Sequence, residues 1–93
     1  MSTDTSCERT VTIQNRQGLH ARPAAEFVKL ATRFRSEVLV CRDDLEVNGK
    51  SIMGMMMLAA EFGAEITIRA RGADAEHAVV ELAALIEQRF GEE

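Results

Sequence analysis

Apolar and polar residues alternate in some stretches of this chain and recur at helical spacing in others, and together the stretches predict seven elements. Val11 and Ile13 alternate against Thr10, Thr12 and Gln14, so residues 7–14 read as a half-buried strand. Asn15 to Gly18 has turn chemistry. Ala24, Phe27, Val28, Ala31 and Phe34 then recur on one helical face, predicting a helix from Ala21 to about Phe34. Glu37 to Cys41 is rich in Val and Leu and reads as a second strand. Arg42, Asp43 and Asp44 turn the chain into a short third strand, Leu45 to Val47, which Asn48-Gly49 closes.

Ser51 to about Phe62 is Met-rich, starts with a favoured N-cap residue and stops before Gly63, so it reads as a second helix. Ala64 to Ala70 is the clearest strand, with Ile66, Ile68 and Ala70 on one side and Glu65, Thr67 and Arg69 on the other. Asp74 is the expected N-cap of a last helix whose buried stripe is Ala78, Val79, Leu82, Leu85 and Ile86, with Arg89 and Gly91 as stop signals. The order is β-α-β-β-α-β-α. Strands with one apolar and one polar face imply a largely antiparallel four-stranded sheet, three helices on one side and water on the other.

Composition narrows the class to a single α+β domain. Ninety-three residues allow one core, and an apolar fraction of 46% is too high for a disordered chain. A net charge of −4, with no Trp or Tyr, argues against a nucleic-acid surface. Met1 to Ser6 is short and polar, without an apolar signal core, and is expected to be a flexible tail. No run is long and apolar enough for membrane insertion, so a cytoplasmic protein is expected. Cys7 and Cys41 lack metal spacing and read as packed thiols, with a pairing between them left open. His77, inside the last helix without partner residues, reads as a surface histidine.

The chemistry concentrates at Gly18-Leu19-His20-Ala21-Arg22-Pro23. Gly18 frees the backbone, and Pro23 is tolerated only in the first helical turn, which puts His20 at or beside the helix start. Unpaired N–H groups and the helix dipole favour an anion there, and Arg22 adds a fork of donors suited to a phosphate. The terminus also disfavours imidazolium and leaves a ring nitrogen free to attack. Alone, a histidine near a turn is an ordinary cap or surface residue. Its neighbours make it a candidate phosphoryl acceptor.

Gly18 to Ala24 resembles the active-site signature of the HPr family, the histidine phosphocarriers of the phosphoenolpyruvate-dependent sugar phosphotransferase system. Asn48-Gly49-Lys50-Ser51-Ile52-Met53-Gly54-Met55-Met56 resembles that family's second signature, and Gly63 to Ile68 and Gly72 to Glu76 also match its pattern. The resemblance spans about residues 9 to 90 and implies an open-faced β-sandwich with the element order read above. It implies that His20 takes a phosphoryl group on Nδ1 from phospho-enzyme I and passes it to an enzyme IIA domain. Arg22 would contact the phosphate, backbone N–H groups around Ala21 and Arg22 would complete the cradle, and no metal or cofactor would take part. Such a protein is a stoichiometric relay rather than an independent enzyme.

Ser51 carries two readings. As a helix N-cap it needs no further role; by the resemblance it is a regulatory phosphosite for an ATP-dependent HPr kinase/phosphorylase. Ile52, Met53, Met55, Met56, Met57 and Leu58 are apolar almost all round a helix, and a short segment on an open-faced sheet cannot bury them all. The resemblance implies that Ile52, Met53 and Met56 face enzyme I and the acceptor, with Ala25 and Lys29 extending that face, and it adds a transcriptional regulator as a partner. No oligomerisation stripe stands out, so a monomer is expected. The nearest alternative is a nitrogen-branch carrier with the same chemistry. A purely regulatory relative is disfavoured because the non-carrier relatives lack the histidine. A metal- or metabolite-binding α+β domain would need paired cysteines or a glycine-rich ligand loop, and neither is present.

Overall fold

The structure, a computed structural model, describes residues 5–92. Four strands, β1 (Ser6–Thr12), β2 (Glu37–Arg42), β3 (Leu45–Asn48) and β4 (Glu65–Arg71), form one sheet in the order β1-β4-β2-β3. Every neighbouring pair is antiparallel, with Val11 opposite Ile66, Val40 opposite Ile68 and Val40 opposite Val47. Helices α1 (Ala21–Ala31), α2 (Ile52–Met57) and α3 (Ala75–Glu87) cover one face, and a short 3-10 turn spans Arg89–Gly91. The fold is an α+β open-faced sandwich.

The alternation read from sequence fixes the register. Val11, Val38, Val40, Val47, Ile66, Ile68 and Ala70 point into the core beneath Phe27, Leu82 and Ile86. Each large side chain removed from water there stabilises the fold by about 1.5–3 kcal/mol. The other face is polar, and across it Arg69 reaches Glu8 at 3.3 Å and Glu46 at 3.1 Å.

Strand β1 ends at Thr12 rather than Gln14, and four other boundaries differ from expectation, each for a local reason. Of the expected tail, residues 1–4 lie outside the described residues, but Ser6 already pairs with Arg71 in β1 and the Thr5 carbonyl accepts the Gly72 N–H. Helix α1 stops at Ala31 rather than Phe34, because the backbone after its cap Thr32 tightens to three-residue bonds, Arg33 N–H to the Leu30 carbonyl and Phe34 N–H to the Ala31 carbonyl, each at 3.1 Å. Helix α2 stops at Met57 rather than Phe62. Ala59 enters the left-handed region (φ 48°), and Arg42 Nη1 donates to the free carbonyls of Leu58 and Ala59 at 3.1 and 2.8 Å. The turn after α3 goes left-handed at Arg89 (φ 60°) and Phe90 (φ 54°), before Gly91 is reached.

The two thiols are free and cannot pair with each other. Cys7 shares its row with Ala70 and Val38, which face the core, whereas Cys41 shares its row with Thr67 on the open face. Burial and the hydrogen bond to Glu46 push the Cys41 thiol pKa up. His77 is exposed on α3, with the Phe34 ring edge-on at 5.3 Å.

Candidate functional site

His20 is the N-cap of α1. Its backbone is extended, its carbonyl accepts the Ala24 N–H at 3.0 Å, and its side chain makes no capping bond. The first N–H groups of the helix therefore have no acceptor within it, and Pro23 contributes none. The loop that delivers His20 is tightly specified. Gly18 sits at φ 69°, and a Cβ there would lie 2.5 Å from the Ala60 carbonyl oxygen. Leu19 donates its N–H to that same oxygen at 2.8 Å, which ties the loop to the segment after α2.

Around the imidazole the structure gathers residues far apart in sequence. His20 Nε2 lies 3.0 Å from Glu92 Oε2 and 3.2 Å from Oε1. Arg22 Nη1 donates to Glu92 Oε2 at 2.6 Å, and its Nη2 donates to the Phe90 carbonyl at 3.3 Å. Asn15, fully buried, donates through Nδ2 to the Gly18 carbonyl at 2.7 Å and to Glu92 Oε1 at 2.9 Å. Both neighbours of that amide nitrogen are acceptors, which fixes the amide orientation. Its Oδ1 has no partner among the described residues. Burial opposes the charge on Glu92, but hydrogen bonds from Arg22, Asn15 and His20 outweigh it and hold the carboxyl below the usual carboxylate range. A carboxylate facing Nε2 favours the tautomer with its proton on Nε2, which leaves the Nδ1 lone pair free.

Residues from the second signature lie beside this site, because α2 packs against α1 and β3. Ser51 is the N-cap of α2, and its hydroxyl accepts the Gly54 N–H at 3.0 Å. Met55 and Leu58 are buried, whereas Ile52, Met53, Met56 and Met57 are exposed and line one shallow apolar hollow. On α1, Ala25 is half-buried and Lys29 exposed. Among the described residues no three His, Cys, Asp or Glu side chains are placed to hold a metal ion. Nor is any described helix long and apolar enough to cross a membrane. Sequence reading placed His20, Ala21, Arg22 and Ser51 at their helix starts. It missed Asn15, which looked like turn chemistry, and Glu92, to which no motif pointed.

A family model described as "PTS HPr component phosphorylation site" matches residues 7–88. The chain belongs to the HPr family. It is 47% identical over 85 residues to the phosphocarrier protein HPr of Cupriavidus necator, covering 91% of this chain and 96% of that protein. The HPr-like protein Crh of Bacillus subtilis is 44% identical over 81 residues, covering 87% and 95% respectively. Among solved structures, HPr-C-His from Thermoanaerobacter tengcongensis superposes with a TM-score of 0.90 at 48% identity, covering 94% of this chain and 98% of that one. The family model itself ends at residue 88, short of Phe90 and Glu92.

Proposed function

We propose that this HPr-family chain is a phosphocarrier that accepts a phosphoryl group on His20 from phospho-enzyme I and delivers it to an enzyme IIA domain. One observation carries this reading: a histidine at an uncapped helix start, with Arg22 and Asn15 converging on an anion beside its ring. The Nδ1 lone pair forms the new N–P bond as the N–P bond to the donor histidine breaks. In the second transfer a nucleophilic side chain of the enzyme IIA domain forms its bond to phosphorus as the bond to His20 breaks, and the electron pair of that broken bond returns to Nδ1. Arg22 and the N–H groups of Ala21 and Arg22 balance the phosphoryl charge, so the step is orientation and electrostatics without a cofactor.

The exposed Ile52, Met53 and Met56, extended by Ala25 and Lys29, are the surface on which both exchange partners dock, through small and short-lived interfaces. Phosphorylation of Ser51 by an HPr kinase/phosphorylase would leave α2 stable, since a helix start favours an anion, while adding negative charge to the docking face. We place the carrier in the cytoplasm as a monomer serving sugar uptake. The likeness to Crh, described in its solution structure as the catabolite repression HPr of Bacillus subtilis, supports a second, regulatory role for the same face, including contact with a transcriptional regulator. A nitrogen-branch pathway would use the same chemistry.

The test is direct. Incubation with phosphoenolpyruvate and a cognate enzyme I should add one acid-labile phosphate to the wild type and none to His20→Ala, read by intact mass. No gain with several enzymes I, or equal gain in the variant, overturns the carrier reading. Ser51→Asp should weaken coupling to enzyme I, and an unaltered transfer rate would remove Ser51 as a switch.

A further inference from the structure

Four of the chain's five methionines fall within Met53–Met57, and the structure divides them sharply. Met55 is 0% exposed and belongs to the core, whereas Met53, Met56 and Met57 are 75%, 44% and 62% exposed. Those three stand at i, i+3 and i+4 of α2, so they share one helix face and, with Ile52, line its shallow hollow. An apolar surface alone does not require sulfur, since leucine presents as much of it. What the thioether adds is a lone pair that an oxidant can reach at three positions and not at the fourth. The rest of the chain competes weakly for an oxidant. It holds no Trp or Tyr, and its two thiols, Cys7 and Cys41, are both half-buried. Burial and the hydrogen bond to Glu46 push the Cys41 thiol up, which leaves it little reactive thiolate.

We propose that Met53, Met56 and Met57 form a reversible oxidation site, at which a hydroperoxide turns the apolar docking face into sulfoxides and weakens exchange with enzyme I. This deepens the carrier reading and rests on it. In each step a sulfur lone pair attacks one peroxide oxygen, and an S–O bond forms as the O–O bond breaks. The other oxygen leaves as hydroxide and takes the proton of the new S–OH group, giving sulfoxide and water. Sulfur loses the electron pair that the peroxide gains. A methionine sulfoxide reductase reverses the step, releasing the oxygen as water while two thiols become a disulfide. A sulfoxide is a polar acceptor, and covering it with a partner's apolar surface strips its water without replacing it. The fold is spared, because Met55 is out of reach and the cap of α2 is a Ser51 hydroxyl on a backbone N–H.

The experiment treats the wild type, and a Cys7→Ala, Cys41→Ala double variant without thiols, with hydrogen peroxide. Peptide mapping by mass spectrometry locates the added oxygens, and the KM of enzyme I for the carrier is measured before and after. Sulfoxide should appear at Met53, Met56 and Met57 well before Met55, with the urea midpoint nearly unmoved. In both proteins KM should rise about tenfold, the scale of an apolar contact made polar, and sulfoxide reductases acting on both epimers should restore it. A Met53→Leu, Met56→Leu variant, referred to its own untreated KM, should lose most of that response. Equal oxidation of Met55, a full response in the leucine variant, or a loss that dithiothreitol alone restores would overturn the proposal. Complete oxidation of the three with KM unchanged would do the same. A Met53→Gln, Met56→Gln variant separates this from docking: if glutamine raises KM and sulfoxide does not, the oxidation site alone fails. Selective, reductase-reversible sulfoxides on a chain that enzyme I never phosphorylates would keep the oxidation site and sink the carrier reading.

Discussion

At the start of α2 the Ser51 hydroxyl accepts the Gly54 N–H at 3.0 Å, whereas at the start of α1 His20 offers its helix no side-chain hydrogen bond. Both caps have extended backbones and both helices pack on the same side of the sheet. One start is closed by its own side chain, and the other is left open, with its nearest anion supplied from Glu92. A cap of the serine kind contributes about 1 kcal/mol, so α1 forgoes a gain that α2 takes. Helix α1 has other support, from buried Ala24, Phe27, Val28 and Ala31, while the six-residue α2 buries only Met55. The longer helix can leave its first N–H groups unspent for chemistry; the shorter one cannot.

The most severe break in this contrast is at His20. His20→Ala should abolish phosphoryl acceptance and cost about 1–2 kcal/mol, because the Nε2 hydrogen bond to Glu92 is lost although no capping bond is. His20→Ser should be equally inactive but more stable than His20→Ala by about 0.5–1 kcal/mol, since it closes the open start. Urea midpoints alongside phosphorylation by enzyme I check both. A His20→Ser no more stable than His20→Ala would mean that the α1 start is not open. Next in size is Arg22→Ala, expected to slow transfer roughly tenfold to a hundredfold with the fold intact. Unchanged single-turnover rates would strip Arg22 of its role.

Ser51 tests the closed start. Ser51→Ala should cost about 1 kcal/mol in urea denaturation, while Ser51→Asp, itself a good cap, should keep most of that stability. If alanine and aspartate proved equally stable, the hydroxyl bond to Gly54 would not be holding α2.

The element order was legible because each face obeys a simple period: two along Glu65–Arg71 and helical along α1 and α3. Helix ends were less legible where tertiary partners decide them. Arg42 ends α2 from β2, a partner that no local spacing announces. The same division runs through the site. His20 and Arg22 announce themselves because helix-start chemistry is local in sequence, and Ser51 does so for the same reason. Asn15 and Glu92 meet across 77 positions, and neither carries a spacing that could signal it. Glu92 reaches the histidine through a left-handed turn at Arg89 and Phe90, whose ring is buried in the core.

The third helix start sharpens the comparison through pH. Asp74 stands at the N-cap of α3, as the sequence predicts, but its carboxylate does not cap α3. It accepts instead from the Ser36 hydroxyl at 2.5 Å and from the N–H groups of Arg35 and Ser36, each at 2.9 Å, tying α3 to the turn before β2. The Ser36 hydroxyl and then the Arg35 N–H are the main causes that hold its pKa down, from 3.8 to about 2. A carboxyl depressed on folding contributes stability that is fully present above its unfolded value and is lost as pH falls through the folded one. The contribution of Asp74 should therefore be constant above about pH 4 and disappear toward pH 2. Asp74→Asn keeps the shape but turns an NH2 toward one of these donors, so it should be less stable than wild type at pH 6. As pH drops from 4 to 2 the wild-type carboxyl protonates and the two proteins should converge. Urea midpoints measured across that range decide the point. A gap that stays constant would assign the Asp74 contacts to shape rather than charge.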